Sequence, residues 1–192
     1  MLITLLLPVV FAAPPGFEAT KSTERCQLYL GPALANGVVP MRAECHWLTV
    51  DLNKLTDAFS RWDDHDVPFD SVLSSDVVRA EGEVAWVHQV HAVKGVSDRE
   101  CRLRMQRSPI AGGHRFEWTL DNGDLKPADG RVLVGYDDGF WEVTADPAGG
   151  VRAVHQLAYD PGGRVPGFLV RWFQTSGLVD IVTEMETWAA QL

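Results

Sequence analysis

The sequence predicts an α+β fold, in which a curved antiparallel β-sheet wraps around a long C-terminal α-helix and leaves an internal hydrophobic cavity. A strand-like run at residues 151–159 enters a Pro/Gly corner at 160–166, and a long amphipathic stretch follows it almost to Leu192. Short links rich in Gly, Asp and Asn separate the preceding strand-like runs, which is typical of an antiparallel meander. Seven tryptophans favour a cavity, because tryptophan lines apolar pockets, although core packing alone also accounts for them.

Length and charge limit the classes of function. A chain of 192 residues is expected to form one domain with a core large enough to be stable by itself. The hydrophobic fraction of 46% and the charged fraction of 22% are those of an ordinary globular protein. The formal net charge of -9 argues against nucleic acid as a partner, because binding to phosphate backbones needs clustered Lys and Arg. We expect a monomer.

The first residues predict a targeting segment. Residues 1–12 form an apolar run of signal-peptide length that is too short to span a bilayer. The alternative is a buried N-terminal strand or helix, but Pro14-Pro15-Gly16 is more typical of the start of a mature chain. We therefore expect a signal peptide at 1–12, a linker at 13–23 and one domain at 24–192. The mature protein is then periplasmic or secreted.

The cysteines suggest one disulfide. Cys26 and Cys45 flank a hairpin signal at Asn36-Gly37, so the two thiols are expected to lie across from each other, and export permits their oxidation. The alternative is three buried free thiols, with Cys101 as the third. The spacing of the cysteines fits no zinc pattern, so neither a metal nor another cofactor is predicted.

The remaining elements follow in order along the chain. Two antiparallel strands are predicted at 26–30 and 38–49. Asp51 is expected to cap a helix over 52–62, whose apolar residues recur at helical spacing. Seven further strands are predicted at 71–80, 83–93, 100–106, 114–120, 131–136, 140–144 and 151–159, and the final helix at 166–192.

Alternation of polar and apolar residues assigns one apolar face to several strands. In the strand at 100–106, Cys101, Leu103 and Met105 oppose three polar residues, and the strands at 114–120 and 140–144 show the same pattern. One apolar face per strand is what a sheet curled around a cavity requires. The strands at 83–93 and 151–159 are ambiguous, because polar and apolar residues occur on both of their faces.

The C-terminal helix carries the clearest apolar stripe. Its members recur at i, i+3, i+4 and i+7, and they are Phe168, Leu169, Trp172, Phe173, Leu178, Ile181, Val182, Met185, Trp188 and Ala189. The stripe is wide enough to close a curved sheet, and Gly177 is a place where the helix can bend. Most of these residues are expected in the core, while the aromatic first half can also roof a ligand pocket.

Four short segments of the chain carry a resemblance to a known family. They read VPMRAE at 39–44, GVSDRE at 95–100, GFWEV at 139–143 and VHQLAYDPGGRVP at 154–166. In order and spacing they resemble the START lipid-transfer domains of the helix-grip, or Bet v 1-like, superfamily. The resemblance covers residues 24–190, and the chain looks like an exported, bacterial-type member.

The resemblance implies a non-catalytic binder of a lipid or another hydrophobic small molecule, held in a tunnel between the sheet and the terminal helix. Some eukaryotic members keep a buried acid–arginine pair in that tunnel. The matching positions here are Met105 for the arginine and the neighbourhood of Trp86 for the acid, so the pair is absent and a more apolar pocket is expected. Exchange of the ligand requires the terminal helix to open against nearby loops, with Phe69 and the 121–130 loop as gate elements and with transient membrane contact.

The residues expected to contact the ligand lie on the apolar strand faces and in the first half of the final helix. They are Trp86, His88, Leu103, Met105, Phe116, Trp118, Trp141, His155, Leu157, Phe168, Leu169, Trp172 and Phe173. In such a pocket one or two polar groups orient the head group of the ligand. His88 and His155 are the polar candidates, and the alternative for each is a structural or surface histidine.

Two other classes of function stay open. A small enzyme of the same superfamily, cyclase-like or hydrolase-like, needs a titratable group with a shifted pKa facing the pocket, and His88 and His155 are the first candidates. An exported interaction module would instead have an interior filled by its own side chains. Neither interpretation involves a metal, because His88 and His91 lie three apart on one strand and point to opposite faces.

Overall fold

The computed structural model describes residues 13–92 and 95–192, so the predicted signal peptide at 1–12 lies outside the described residues. One sheet is formed by β1 (Glu18–Ser22), β2 (Cys26–Leu30), β3 (Met41–Trp47), β4 (Val72–Glu81), β5 (Val84–His91), β6 (Arg99–Ile110), β7 (Gly113–Leu120), β8 (Val132–Leu133), β9 (Tyr136–Ala145) and β10 (Val151–Asp160). The helices are α1 (Leu52–Phe59), a 3-10 turn (Trp62–Asp64), α2 (Gly167–Trp172), a π-helical turn (Phe173–Gly177) and α3 (Leu178–Ala189). This is the α+β arrangement that the sequence predicts.

The sheet follows the order β1-β2-β3-β10-β9-β7-β6-β5-β4, and neighbours in this order are antiparallel. The predicted antiparallel meander is confirmed for the main strands from β4 to β10. β3 pairs with β10 from Met41 opposite Leu157 to Trp47 opposite Val151, which joins the N-terminal strands to the meander. Because residues of β3 and of β5 line one cavity, the sheet is strongly curved.

The strand predicted at 131–136 is wrong in extent. Only Val132–Leu133 form a strand, and this β8 runs parallel to β6. Tyr136 begins β9 instead. The backbone changes partner just before it: the N–H of Val134 donates to a carbonyl of β6, and the N–H of Gly135 donates to a carbonyl of β10.

The linker predicted at 13–23 contains a strand that alternation did not reveal. Glu18–Ser22 (β1) pair with β2, from Glu18 opposite Leu30 to Ser22 opposite Gln27. All five residues of β1 are exposed, so the strand has no apolar face to mark it in the sequence. It lies at the edge of the sheet and is attached by backbone hydrogen bonds rather than by burial.

The predicted disulfide forms between neighbouring strands. Cys26 of β2 lies directly opposite Cys45 of β3, and the two sulfurs are bonded. Cys101 of β6 is a free, buried cysteine. The third thiol is thus the one left over, as an odd count requires.

Helix α1 packs across the concave face of the sheet. It begins as predicted at Asp51, whose Oδ1 accepts hydrogen bonds from the backbone N–H groups of Asn53 and Lys54 at 2.9 and 3.0 Å. It ends at Phe59, three residues before the predicted end at residue 62. The Phe59 ring stacks on Phe116 of β7, with ring centroids 5.1 Å apart, and this contact holds the end of α1 against the concave face of the sheet.

The C-terminal helix is divided by its π-helical turn. In α3 the stripe is buried as predicted, at Leu178, Val182, Met185 and Ala189. In α2 it is not, because the extra residue of the π turn rotates α2 by about 100° relative to an unbroken α-helix. Phe168 is consequently 62% exposed. No helix within residues 13–92 and 95–192 has the length and apolar character needed to cross a membrane.

Reduction of the Cys26–Cys45 disulfide is expected to lower the free energy of unfolding by about 3 kcal/mol, because the bond closes a loop between cysteines 19 residues apart in the unfolded chain. Urea denaturation with and without a reductant measures the difference. The double variant Cys26→Ala/Cys45→Ala is the control, and it should have the lower stability and no response to the reductant. Identical midpoints for the oxidised and reduced wild type would contradict this expectation.

Candidate functional site

A cavity of about 690 Å³ lies between the concave face of the sheet and the helices. Strands β3, β5, β6, β7, β9 and β10 contribute one wall, and α1, α2, the π turn and α3 contribute the other. Residues 69–72, which lead into β4, also line it. The volume falls within the range of about 300–1,000 Å³ that is usual for small-molecule sites.

Ten of the thirteen residues predicted to contact a ligand line this cavity. They are Leu103, Met105, Phe116, Trp118, Trp141, His155, Leu157, Leu169, Trp172 and Phe173. The register explains why they meet, because directly opposite residues of antiparallel strands share a face. Met105 lies opposite Trp118, and Phe116 lies opposite Trp141. These ten residues therefore lie in the wall of the cavity, while their contact with a ligand stays a prediction.

Trp86, His88 and Phe168 do not line the cavity, and their prediction as lining residues was wrong. Trp86 and His88 lie opposite Arg104 and Arg102 of β6, so they share the convex face with those arginines. Nε1 of Trp86 donates to Oδ2 of Asp121 at 2.7 Å, and His88 Nε2 lies 2.8 Å from a carboxylate oxygen of Glu100. Phe168 is turned outward by the π turn, as described above.

Of the two predicted gate elements, only Phe69 lines the cavity. No residue of the 121–130 loop does so. The loop is attached to the convex side of the sheet, since Nε of Arg102 donates to the carbonyl of Asp121 at 2.8 Å. The N–H of Ala128 also donates to Glu100 at 2.8 Å. The loop thus lies on the convex face of the sheet, where it cannot control access to the cavity.

His155 lies between two indole rings. Its ring centroid is 4.1 Å from that of Trp141 and 5.8 Å from that of Trp118. Nδ1 lies 3.3 Å from the carbonyl oxygen of Phe140, to which its N–H donates. Burial lowers the pKa of His155 to about 3, so the ring is neutral at physiological pH. It contributes a polar but uncharged group to an otherwise aromatic wall.

Gly139 provides the space that Trp118 occupies. A Cβ at position 139 would lie 2.5 Å from Cζ2 of Trp118 and 2.5 Å from the carbonyl oxygen of Gln156, both far inside van der Waals contact. In this space Nε1 of Trp118 donates to Oδ1 of Asp137 at 2.7 Å. A glycine in β9 therefore allows an indole of β7 to reach a buried carboxyl group.

A polar cluster lies where β5 and β10 end and where β6 and β9 begin. Its members are Gln89, His91, Cys101, Asp137 and Tyr159. Burial raises the pKa of Asp137 to about 7, lowers that of His91 to about 4, and raises those of the Cys101 thiol and the Tyr159 hydroxyl. The cluster is therefore largely uncharged below pH 7.

None of these five residues was predicted to bind a ligand. Asp137 stands in an Asp-Asp-Gly sequence that resembles a turn, and β5 has polar residues on both faces. Alternation assigned Cys101 to the inner face, but only the register of the sheet shows that Gln89 lies opposite it. That single pairing places Gln89 inside and the alternating residues Trp86 and His88 outside.

The opening of the cavity is acidic. Asp70 and Asp180, both exposed, line the cavity together with the half-buried Glu184. Burial, and then the charges of Asp70 and Asp180, raise the pKa of Glu184. Trp172, which is 47% exposed, also lines the cavity. The opening thus combines carboxyl groups with an aromatic side chain of α2.

Several solved structures, two of them of lipid transfer proteins by name, are similar to this one. A STAR-related lipid transfer protein from Xanthomonas axonopodis matches with a TM-score of 0.79 and 17% identity over 91% of this chain and 98% of that one. Human STARD10 matches with a TM-score of 0.78 and 13% identity, over 93% and 74% of the two chains. Human StAR-related lipid transfer protein 5 gives 0.75 and 14%, over 93% and 88%. No family model matches the sequence, and no curated protein matches it.

The chain therefore has the START-like helix-grip fold, as the short sequence motifs predicted. The fold defines a class of α+β domains that enclose a cavity between a curved sheet and a C-terminal helix. Identities of 13–17% show the shared fold alone.

His155→Gln is expected to make the protein less sensitive to acid. The pKa of His155 is lowered from 6.5 to about 3 on folding, so the unfolded state takes up this proton first and stability is lost as the pH falls from about 6.5 toward 3. Over this range the free energy of unfolding of the variant should fall less steeply, by about 1.4 kcal/mol per pH unit. Urea denaturation between pH 5 and pH 8 measures both slopes. The two curves should be parallel above pH 7, and parallel curves below pH 6 would contradict the expectation.

Proposed function

We propose that the protein binds a lipid or another hydrophobic small molecule in this cavity and transfers it without changing it chemically. The observation that carries the proposal is the apolar wall, in which aliphatic and aromatic side chains of the sheet face those of the C-terminal helix across about 690 Å³. Two of the similar solved proteins are lipid transfer proteins by name, which supports it.

The driving force for binding is the removal of hydrocarbon from water. Each CH₂ group that enters such a cavity gains about 0.8 kcal/mol. Leu103, Met105, Phe116 and Leu157 provide wall surface that cannot form hydrogen bonds, so the cavity is suited to an acyl chain or a ring system. No covalent step is needed, and no cofactor enters the binding itself.

The polar cluster and His155 orient the polar end of the ligand. His91 and His155 are neutral at pH 7 because burial lowers both pKa values, and Asp137 keeps its proton up to about pH 7. These groups favour a head group that forms hydrogen bonds without a full charge, since a charged group would lie in an apolar cavity without a counter-ion. A hydroxyl or amide group meets this requirement.

Ligand exchange takes place at the acidic opening. We expect α2 and the π turn to move away from Phe69, because these segments line the cavity on the solvent side. The exposed side chains of Phe168 and Trp172 would contact a membrane transiently during this step. We expect a monomeric protein in the periplasm or outside the cell, because the apolar run at 1–12 predicts a signal peptide.

The two histidines expected to serve an enzyme are not suited to that role. An enzyme was expected to use His88 or His155, but His88 lies on the convex face and the pKa of His155, about 3, makes it a weak base.

An interaction module with a filled interior was the other alternative. A cavity of about 690 Å³ favours a binder over such a module.

Native mass spectrometry of the purified mature protein, followed by organic extraction, tests the proposal. A stoichiometric extra mass that extracts as a lipid is the expected result. After extraction, the protein should take up fluorescent fatty-acid, sterol or phospholipid probes. A protein without extra mass that also takes up none of the three probes would contradict lipid binding.

Filling the cavity is expected to prevent uptake. Leu103→Trp adds bulk to a buried wall residue, and it should reduce probe binding at least tenfold while costing about 1–3 kcal/mol of stability. Val78→Trp is the matched control, because Val78 is 57% exposed on β4 and does not line the cavity. Fluorescence titration measures uptake, and thermal unfolding checks that both variants fold. Equal probe affinity in the two variants would place the ligand elsewhere.

A further inference from the structure

Three members of the polar cluster are of the kinds that bind transition metals. His91 ends β5, Cys101 lies near the start of β6, and Asp137 lies near the start of β9. One donor atom from each, an imidazole nitrogen, a sulfur and a carboxylate oxygen, lies within 4.8 Å of the other two. Because the three residues belong to strands of one sheet, the backbone holds them in place without a ligand.

A chain of hydrogen bonds fixes the tautomer of His91. The hydroxyl of Ser75 donates to the carbonyl of Trp62 at 2.6 Å, because a carbonyl can only accept. Oγ of Ser75 therefore accepts from Nε2 of Gln89 at 2.9 Å, which directs Oε1 of Gln89 to Nε2 of His91 at 3.0 Å. The amide oxygen also only accepts, so Nε2 of His91 carries the proton and Nδ1 carries the lone pair. Histidines that bind metals usually donate their other N–H in this way.

Asp137 is oriented by a comparable contact. Nε1 of Trp118 donates to Oδ1 of Asp137 at 2.7 Å, from the position that Gly139 allows it to take. Among residues 13–92 and 95–192 no hydrogen bond to Oδ2 is found, so this oxygen is available to a further partner. A carboxylate held through one oxygen, with the other available, is a typical metal ligand.

The charges of the three residues suit a divalent cation. Cys101 is completely buried, and among residues 13–92 and 95–192 no lysine or arginine forms an ion pair with Cys101, His91 or Asp137. A thiolate and a carboxylate carry two negative charges, which one divalent ion neutralises. The bound site would then be neutral overall, as an apolar environment requires.

We propose that His91, Cys101 and Asp137 bind a divalent transition-metal ion of the zinc type. Nδ1, Sγ and Oδ2 are the ligands, and the thiol proton, together with any proton on the Asp137 carboxyl group, is released to solvent on binding. A mixed set of nitrogen, sulfur and oxygen donors selects such an ion over Mg²⁺ or Ca²⁺, which prefer oxygen alone.

The fourth coordination position is directed to the cavity. His91 and Asp137 both line the cavity, whereas Cys101 is completely buried and does not line it. A tetrahedral ion with three protein ligands keeps one position for water or for a polar group of a bound molecule. The metal site is thus adjacent to the apolar wall and shares His91 and Asp137 with the polar cluster, but the metal proposal does not rest on lipid binding.

The test is a titration of tag-free, disulfide-intact protein with Co²⁺, which replaces Zn²⁺ and absorbs visible light. Cys26 and Cys45 are bonded to each other, so of the three cysteines only Cys101 can give a thiolate-to-cobalt charge-transfer band. We expect this band to saturate at one equivalent and to disappear on addition of Zn²⁺. Cys101→Ser should remove it.

Further variants distinguish a metal site from a structural role. Asp137→Asn keeps an oxygen for Trp118 and should weaken Co²⁺ binding, and Gln89→Leu should weaken it on the order of 10–100-fold while keeping the charge-transfer band. His46→Gln is the control, because His46 lies 3.5 Å from Asp146 and is the kind of pair that takes up metal ions adventitiously. It should bind like the wild type. Thermal unfolding without metal checks the fold of each variant.

The proposal is overturned if the wild type gives no charge-transfer band, or if Cys101→Ser retains it. If Cys101→Ser does not fold, unchanged Co²⁺ affinity in both Asp137→Asn and Gln89→Leu overturns it instead. Probe uptake measured on the same samples separates the two proposals. A protein that takes up lipid probes without binding Co²⁺ refutes only the metal site, and the reverse result refutes only lipid binding.

Discussion

The pairing of β3 with β10 is the interaction on which the rest of the structure depends. It joins an N-terminal group of strands to a meander that would otherwise end at β10, so the two parts curve around one interior. The disulfide holds β2 to β3 on one side of this junction, and β9, which carries Trp141, lies on the other. Contacts between α3 and β3 then hold the terminal helix over the concave face. The cavity exists because this junction brings distant parts of the chain together.

The sequence could predict what depends on local pattern and could not predict what depends on register. The strands of the meander, the cap at Asp51 and the inner face of β6 follow from alternation and turn chemistry, and each is found in the structure. Trp86 and His88 were misplaced because polar and apolar residues alternate ambiguously in β5, and only pairing with β6 decides its faces. The outward turn of Phe168 depends on one extra residue in a helix, which an apolar stripe does not reveal.

The candidate site was predicted in its apolar part and missed in its polar part for a related reason. Apolar wall residues can be recognised in the sequence because they alternate with polar residues along a strand. Buried polar groups are instead stabilised by hydrogen bonds to partners that are distant in the sequence. Gln89 depends on Ser75, and Ser75 on the carbonyl of Trp62 in the 3-10 turn. Asp137 depends on Trp118 of β7. The polar end of the cavity is thus assembled from the 3-10 turn and several strands, and no single segment of the sequence contains it.

The π-helical turn at Phe173–Gly177 has a consequence for how the lining of the cavity can change. Deleting one residue there would restore continuous α-helical geometry and turn α2 by about 100° around its axis, with a shift of about 1.5 Å along it. Leu169 and Trp172 would leave the cavity wall, and other side chains of α2 would replace them. The roof of the cavity can therefore be altered by chain length alone, through an insertion or a deletion, while every amino acid that forms the sheet stays the same.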